Sequence, residues 1–382
     1  MQQKRLKRVV LLSPAYPLRG GIASSTERLA LELQQEGCEV TIYSFSLQYP
    51  SFLFPGKTQY DEGPPPKHLR ILTLINSVNP FNWIKVGLKL YREAPDLIIA
   101  RFWLPFMGPS MGTILRLAKR NGHTKVVAIT DNVIPHEKRI GDRFFTGYFI
   151  RTIDAFVVMS RSVRDDIRSF SNNNPVSYIP HPIYDNYGTL ASKAEAAEAL
   201  SIDKKQPYIL FFGFIRQYKG LDLLLHAMGD ERVKALGLKL IVAGEFYDNP
   251  SLYQKIIEEQ QLQDTVVLFN NYIPNEQVRY YFALADLVAQ PYRSATQSGI
   301  SQLAYHFEKP MVVTKVGGLP EIVAHLKEGY VVPVEVEAIA DAIVDFYEGN
   351  RSEDMVKAVK EGKKRFSWLN MVKGIRNLYD QI

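Results

Sequence analysis

Apolar runs a few residues long alternate with amphipathic stretches along the whole of the 382-residue chain. Runs too short for helices and bounded by Gly, Pro, Asn or Asp read as strands covered on both faces, whereas apolar positions three and four apart read as helix. Strands are predicted at residues 9–13, 40–43, 97–101, 126–130, 155–159 and 176–179, and again at 208–213, 239–244, 266–270, 287–290, 311–314 and 330–332. Strand–helix alternation of this kind builds parallel sheets covered by helices, so the fold class is α/β, with two doubly wound Rossmann-like domains. Residues 181–206, with Pro182, Gly188 and an alanine-rich stretch, separate the two sets of strands. The expected division is an N-terminal domain over 1–184, a linker over 185–206, a C-terminal domain over 207–352 and terminal helices over 353–382. Trp368, Met371, Ile375 and Leu378 give the stretch 353–380 one apolar helical face, and the Pro-, Gly- and Tyr-rich segment 51–66 reads as an irregular loop.

Composition narrows the class. Hydrophobic residues make up 46% and charged residues 23%, which excludes a wholly disordered or collagen-like chain. No apolar run approaches the roughly 18 residues of a membrane span, so an integral membrane protein is not expected. Lys4, Arg5, Lys7 and Arg8 before an apolar stretch imitate a signal peptide, but Ser13 and Pro14 end that stretch too soon, and a first buried strand is expected instead. The single cysteine, Cys38, has no internal partner, which fits a reducing, cytoplasmic setting. The net charge of +6 is uneven, about +9 over the first 190 residues and −3 over the rest. Such asymmetry suits an anionic acceptor, an anionic membrane surface or nucleic acid, but no nucleic-acid-binding module accompanies it.

Several signals fail. Gly56-Lys57-Thr58 resembles the end of a phosphate-binding loop, but Ser51 stands where that motif needs glycine. No G-x-G-x-x-G follows the first strand, the seven histidines have no zinc-site spacing, and no Asp-x-Asp occurs to hold a divalent ion on a diphosphate. Neither metal nor resident cofactor is therefore expected, and cations and backbone must handle any diphosphate.

Three places suit that task. Gly20 and Gly21 precede a helix predicted over 22–35, where backbone N–H groups and the helix dipole favour an anion. Gly213, Arg216 and Lys219 lie between the strand at 208–213 and a helix predicted over 221–228, at the carboxyl end where open α/β sheets bind ligands. Cations there oppose the helix dipole, which an anionic ligand would reverse. Ser298 and Gly299 open an apolar helix reaching Phe307; the plain alternative is an N-cap serine.

With these residues in view, the chain resembles glycosyltransferase family 4. The resemblance is carried by Pro17-Leu18-Arg19-Gly20-Gly21-Ile22-Ala23, Met159-Ser160-Arg161-Ser162-Val163, Ile179-Pro180-His181-Pro182, the Gly213 to Lys219-Gly220 spacing, Ala285-Asp286-Leu287 and Val316-Gly317-Gly318-Leu319-Pro320-Glu321, in order over nearly the whole chain. It implies the GT-B architecture, two Rossmann-like domains facing across a cleft, and retaining transfer from a nucleotide-sugar without a metal. The C-terminal domain would hold the donor and the N-terminal domain the acceptor. Arg216 and Lys219 would neutralise the leaving diphosphate; Gly20, Gly21, Gly213 and the Ser298–Gly299 turn would allow backbone donors. The base would lie near Tyr272 and Ile273, and the last helix would cross back to the N-terminal domain.

Three departures stand out. The E-x7-E positions of the family fall on Ala295 and Leu303, and no Asp or Glu occurs between 287 and 307, leaving Thr296, Gln297, Ser298 and Gln302 as neutral hydrogen-bonding substitutes. Phe214 replaces the arginine that often follows the first glycine of the donor motif, with Arg216 two residues later. Thr130-Asp131-Asn132 stands where many members have a histidine, so Asp131, or His136 downstream, is the candidate to orient or deprotonate an acceptor hydroxyl. The aromatic segment 101–107 is either core or a contact for a lipid-linked acceptor at a membrane surface. The implied activity is a cytoplasmic bacterial hexosyltransferase using a UDP-sugar, with a GDP-sugar as second choice, to extend a cell-surface polysaccharide or lipopolysaccharide. Its implied partners are the donor and a glycan or lipid-linked acceptor, with peripheral membrane contact. The alternatives are a nucleotide-sugar-binding protein without transfer and a nucleotide-sugar epimerase.

Overall fold

The computed structural model describes residues 6–50, 58–61, 63–134 and 140–382. The chain forms two compact units, one of Met1–Pro180 with Ser367–Ile382, the other His181–Phe366. In the first, β1 (Arg8–Leu12), α1 (Gly21–Gln35), β2 (Glu39–Leu47), β3 (Arg70–Asn76), α2 (Pro80–Glu93), β4 (Leu97–Phe102), α3 (Gly108–Ala118), β5 (Lys125–Thr130), α4 (Asp142–Ile150), β6 (Ala155–Val158), α5 (Arg161–Arg168) and β7 (Val176–Tyr178) follow one another. The strands form a parallel sheet in the order β3-β2-β1-β4-β5-β6-β7, so the winding direction reverses between β1 and β4. Every residue of β4 and of β6 is buried, which is why these strands read as continuous apolar runs.

The second unit contains α6 (Lys193–Leu200), β8 (Tyr208–Phe212), α7 (Leu221–Met228), α8 (Glu231–Ala235), β9 (Lys239–Ala243), α9 (Ser251–Glu259), β10 (Val266–Phe269), α10 (Val278–Leu284), β11 (Ala285–Gln290), α11 (Gly299–His306), β12 (Met311–Thr314), α12 (Leu319–Ile322), β13 (Gly329–Val332), α13 (Val336–Glu348) and α14 (Ser352–Gly362). Its parallel sheet has the order β10-β9-β8-β11-β12-β13 and reverses between β8 and β11. The chain closes with α15 (Trp368–Gln381).

Each of the twelve predicted strands is present, with ends displaced by a few residues. β3 is the addition. It lies at the sheet edge with only Ile75 fully buried, so its apolar signal is diluted. One expectation is corrected. The stretch 185–206 is not a bare linker: Ser192 caps α6 by accepting from Glu195 N, and Ala196 and Ala197 join Tyr184 and Tyr187 in the second unit's core. The terminal helices over 353–382 are α14 and α15, parted where Ser367 starts the second by accepting from Asn370 N. From there Trp368, Met371, Ile375 and Leu378 pack with Val9, Leu11, Leu29 and Leu33 of the first unit.

Candidate functional site

The carboxyl ends of β8 and β11 meet where the second sheet reverses, and the candidate donor residues gather there. Gly213 follows β8 with φ +97°, and its carbonyl lies so close to Gly244 that a Cβ on Gly244 would come within 2.2 Å of that oxygen. Ile215 N donates to Glu245 O and Tyr247 N to Ile215 O, lacing the loop after β8 to the loop after β9. A 3₁₀ turn, Gln217–Lys219, then leads into α7. The loop after β11 clamps this turn: Arg293 N donates to Tyr218 O at 2.7 Å, and the Arg293 guanidinium grips Asp222 of α7 through both carboxylate oxygens. Gly220, at φ +67°, leaves only 2.0 Å between the place of a Cβ and Pro291 O, so a larger residue would break the clamp.

Lys219 is driven inward by this arrangement. It is 9% exposed, and its ammonium would stand 3.1 Å from a Cβ on Gly213 and lies 5.8 Å from the centre of the Tyr292 ring. Among the described residues its ammonium has no hydrogen-bond or ion-pair partner, whereas its backbone N donates to Arg216 O. Burial, reinforced by the neighbouring Arg216 charge, pulls its pKa down from 10.5 to about 7. The Arg216 guanidinium lies 5.1 Å above the Tyr247 ring, and Tyr247 is itself stacked on Phe214 at 4.5 Å. Phe214 therefore builds an aromatic shelf that carries the arginine displaced two residues along. Two cations without a facing carboxylate, one of them desolvated, make a place for an anion.

The opening of α11 completes that pole. Ser298 is the N-cap, its hydroxyl accepting from Ile300 N at 3.2 Å, and Tyr292 and Ser298 hydroxyls are 3.4 Å apart. A Cβ on Gly213 would sit 3.2 Å from Ile300 Cδ1, so Gly213, Lys219, Tyr292 and the first turn of α11 share one locality. Gly299 has a packing reason as well, because a Cβ there would be 2.7 Å from the Tyr184 ring. Tyr272 and Ile273 follow β10, Ile273 with its side chain in the core, which leaves the backbone of this segment as its contribution.

In the first unit the candidate residues lie at the β1/β4 reversal. Gly20, at φ +110° with open space around it, precedes α1, whose first turn has no side-chain cap and no acidic residue. Beside it, Arg101 at the end of β4 is 5% exposed and binds both oxygens of Asp131 at 2.7 Å while also donating to Ser25 Oγ on α1. Asp131 thus holds a buried guanidinium in place. Both of its oxygens are engaged by the one guanidinium, a geometry that suits positioning. His136 and the glycine and lysine of the Gly56-Lys57-Thr58 run lie outside the described residues. The aromatic segment at 101–107 proves to be mostly core, with Phe102 stacked on Phe149 at 4.2 Å and Trp103 Nε1 donating to the Tyr49 hydroxyl.

Two family profiles cover the chain in succession: Glycosyltransferase Family 4 over residues 19–186 and Glycosyl transferases group 1 over 192–365. The chain belongs to glycosyltransferase family 4. A D-inositol 3-phosphate glycosyltransferase of Segniliparus rotundus is 30% identical over 194 residues, which is 49% of this chain but only 42% of that relative's length. A glycosyltransferase of Methanocaldococcus jannaschii is 22% identical over 388 residues, covering 97% of both chains. Among solved structures, sucrose-phosphate synthase from Thermosynechococcus elongatus matches with a TM-score of 0.75 at 17% identity, over 98% of both chains. Anabaena HepE in complex with UDP matches with a TM-score of 0.74 at 15% identity, over 98% of this chain and all of the other. These likenesses show the GT-B fold.

Against that family pattern, the two missing carboxylates have become packing positions. Leu303 is core, and Ala295 O approaches Gly317 so closely that a Cβ on Gly317, at φ +49°, would lie 1.3 Å from it. The glycine of the Val316-Gly317-Gly318 motif is thus required by the backbone alone. Next to Leu303, the Gln302 amide is fully buried with neither its oxygen nor its nitrogen hydrogen-bonded, and Gln290 Nε2 at the end of β11 is likewise unpartnered while its Oε1 accepts from Ser301. Neighbouring buried amides with open valences in a family 4 glycosyltransferase suit ligand hydroxyls or ordered water. Tyr247, Tyr292 and Arg293 are the contributors that motif reading missed. The Tyr-Arg pair after Pro291 was visible in the sequence, but its role depends on the fold bringing that loop to Lys219.

Proposed function

We propose that this family 4 glycosyltransferase moves a hexosyl group, with retention, from a nucleotide-sugar held by the second unit to a glycan or lipid-linked acceptor held by the first. The observation that carries the reading is the buried, unpartnered Lys219 ammonium beside Arg216 at the β8/β11 reversal. Departure of a nucleoside diphosphate builds negative charge on its outer phosphate. Preorganised cations in a site that excludes water stabilise that charge far better than mobile ones in solvent. Lys219 supplies a compact charge and Arg216 a planar fork for two oxygens, while the Ser298 hydroxyl and the first N–H groups of α11 add neutral donors. Gln290 at the end of β11 and Gln302 on α11, with Thr296 and Gln297 on the loop between, would pair with hydroxyls of the sugar and ribose in place of carboxylates. The backbone at Tyr272 and Ile273 receives the base.

UDP-sugar is the favoured donor. HepE, similar in fold, was solved with UDP, and the charge asymmetry of the chain supports an anionic acceptor on the basic first unit. In that unit the Arg101 guanidinium held by Asp131 marks the acceptor pole, with cell-surface polysaccharide or lipopolysaccharide as the acceptor class and the cytoplasmic side of the membrane as the setting, while Gly20 and Gly21 offer backbone N–H groups to the donor's diphosphate. The test is nucleotide release from UDP-, GDP- and ADP-sugars, with and without a lipid-linked glycan extract, in excess chelator. Release from one donor, stimulated by the extract and indifferent to chelator, is the expected result. Binding without release or transfer would overturn it in favour of a non-catalytic binding protein, and isomerised donor without acceptor in favour of an epimerase.

A further inference from the structure

α2 packs one face into the first unit and leaves another bare. Val86, Gly87 and Leu90 are buried, Gly87 so near α3 that a Cβ there would lie 2.7 Å from Leu117 Cβ. Outward, at steps of three and four, stand Phe81, 83% exposed, then Ile84, Leu88 and Tyr91. At about 100° per residue these four fall in one stripe, and Lys85, Lys89 and Arg92 fall in a second stripe alongside it. Leu252 and Leu268 in the second unit stand singly, as is ordinary for a protein surface, whereas in the first unit Ile140 and Phe144 are also exposed. A contiguous apolar stripe bordered by cations is not ordinary.

We propose that this face of α2 docks on an anionic phospholipid bilayer, the apolar stripe entering the boundary between headgroups and acyl chains and the cationic stripe meeting lipid phosphates. Charge chooses the occupant. A bilayer interface offers apolar depth beside a plane of negative charge, the pairing that the two stripes match. A second copy docked antiparallel through the same face would set the two cationic stripes on one side, which disfavours that dimer, and a parallel pairing would leave both stripes without acidic partners across the seam. The surrounding charge agrees, since the first 190 residues carry the chain's positive excess.

The face is also rigid. Asn79 caps α2 by accepting from Phe81 N and Asn82 N, and Trp83 Nε1 donates to Asn76 O at 2.7 Å. In a right-handed strand–helix–strand unit the helix begins at the carboxyl end of the sheet. Phe81 therefore lies toward the pole of the first unit that carries Arg101 and Asp131, and a lipid-linked acceptor would arrive from the membrane at that pole. The docking rests on exposure and charge, not on the transfer reading, and is measured without any donor.

The experiment is co-sedimentation of the full chain with vesicles of phosphatidylglycerol and phosphatidylcholine, against vesicles of phosphatidylcholine alone. Expected is binding to the anionic vesicles that weakens with salt, and a loss of about tenfold or more in the variant Phe81→Ser/Ile84→Ser/Leu88→Ser. Lys85→Glu/Lys89→Glu should lose most binding to anionic vesicles, whereas the control Leu252→Ser/Leu268→Ser should bind as the parent does. All substituted side chains are exposed, and circular dichroism and nucleotide affinity confirm that each variant is folded. Absence of vesicle binding, equal binding by parent and apolar variant, or a parental dimer that the apolar variant converts to monomer would overturn the proposal.

Discussion

Lys219 is held where an ammonium is least comfortable without an anion. With its pKa lowered from 10.5 to about 7, the folded, unliganded protein binds fewer protons than the unfolded chain between those values. The penalty is complete below about pH 7, shrinks as pH rises, and vanishes above about 10.5. Lys219→Met should therefore raise the unliganded Tm at pH 7, with the gain disappearing toward pH 10.5; thermal denaturation across pH checks this. UDP should raise the Tm of the parent and leave that of the variant nearly unmoved. A bound diphosphate favours the charged amine, so binding above pH 7 should take up a proton and weaken by up to about tenfold per pH unit. Calorimetry in buffers of different ionisation enthalpy measures that uptake, and Lys219→Met should abolish it. Tyr247 belongs to the same scale: Tyr247→Ala removes the ring beneath Arg216 and should weaken UDP several-fold, whereas Tyr247→Phe, which keeps the ring, should not. Lys219 and Arg216 were legible from their turn between strand and helix. Tyr247 was not, because its partner is set by the strand-like pairing of Ile215 with Phe246 and not by sequence distance.

At the scale of elements, the buried parallel strands announced themselves because both faces are covered, and the edge strand β3 did not, because its outer residues are mixed. The apolar residues Trp368, Met371, Ile375 and Leu378 that mark the end of the chain as helical all lie in α15, after the break that separates it from α14. What enforces the break is partly local, the Ser367 cap, and partly a buried cluster just before it. Arg365 donates to both oxygens of Glu328, which is 3% exposed and also accepts from the Tyr305 hydroxyl and Ala324 N. Arg365 is itself exposed, so water screens the pair, and Arg365→Ala should destabilise the second unit by about 1–2 kcal/mol, read as a lower denaturation midpoint with an unchanged slope. Phe366 packs on Tyr305 at 4.8 Å, so the end of the unit is anchored where the chain turns toward α15. The alanine-rich α6 misled for the opposite reason. Small residues in a polar stretch resemble a tether, yet they allow close packing on α10 within the second unit's core.

For the whole molecule, the ordered motifs identified the family, and the fold explains what several of them do. Gly317 and Gly220 serve backbone approaches, Asp286 accepts from Tyr208 N and pairs with Lys193, and the Gly213 to Lys219 segment presents a buried ammonium. The acceptor pole was the least legible part. Asp131 stands in the family's histidine position as a candidate to orient or deprotonate an acceptor hydroxyl, and its engagement by Arg101 appears only when β4 and β5 are side by side. Among the described residues no helix is long and apolar enough to cross a membrane. The most direct test is calorimetric titration of UDP into the parent and into Arg216→Ala/Lys219→Ala at pH 7. With charge-assisted contacts contributing roughly 1.5–3 kcal/mol each, the double variant should lose about a hundredfold or more in affinity. Equal affinity in a folded double variant would contradict the placement of the donor diphosphate at the β8/β11 reversal.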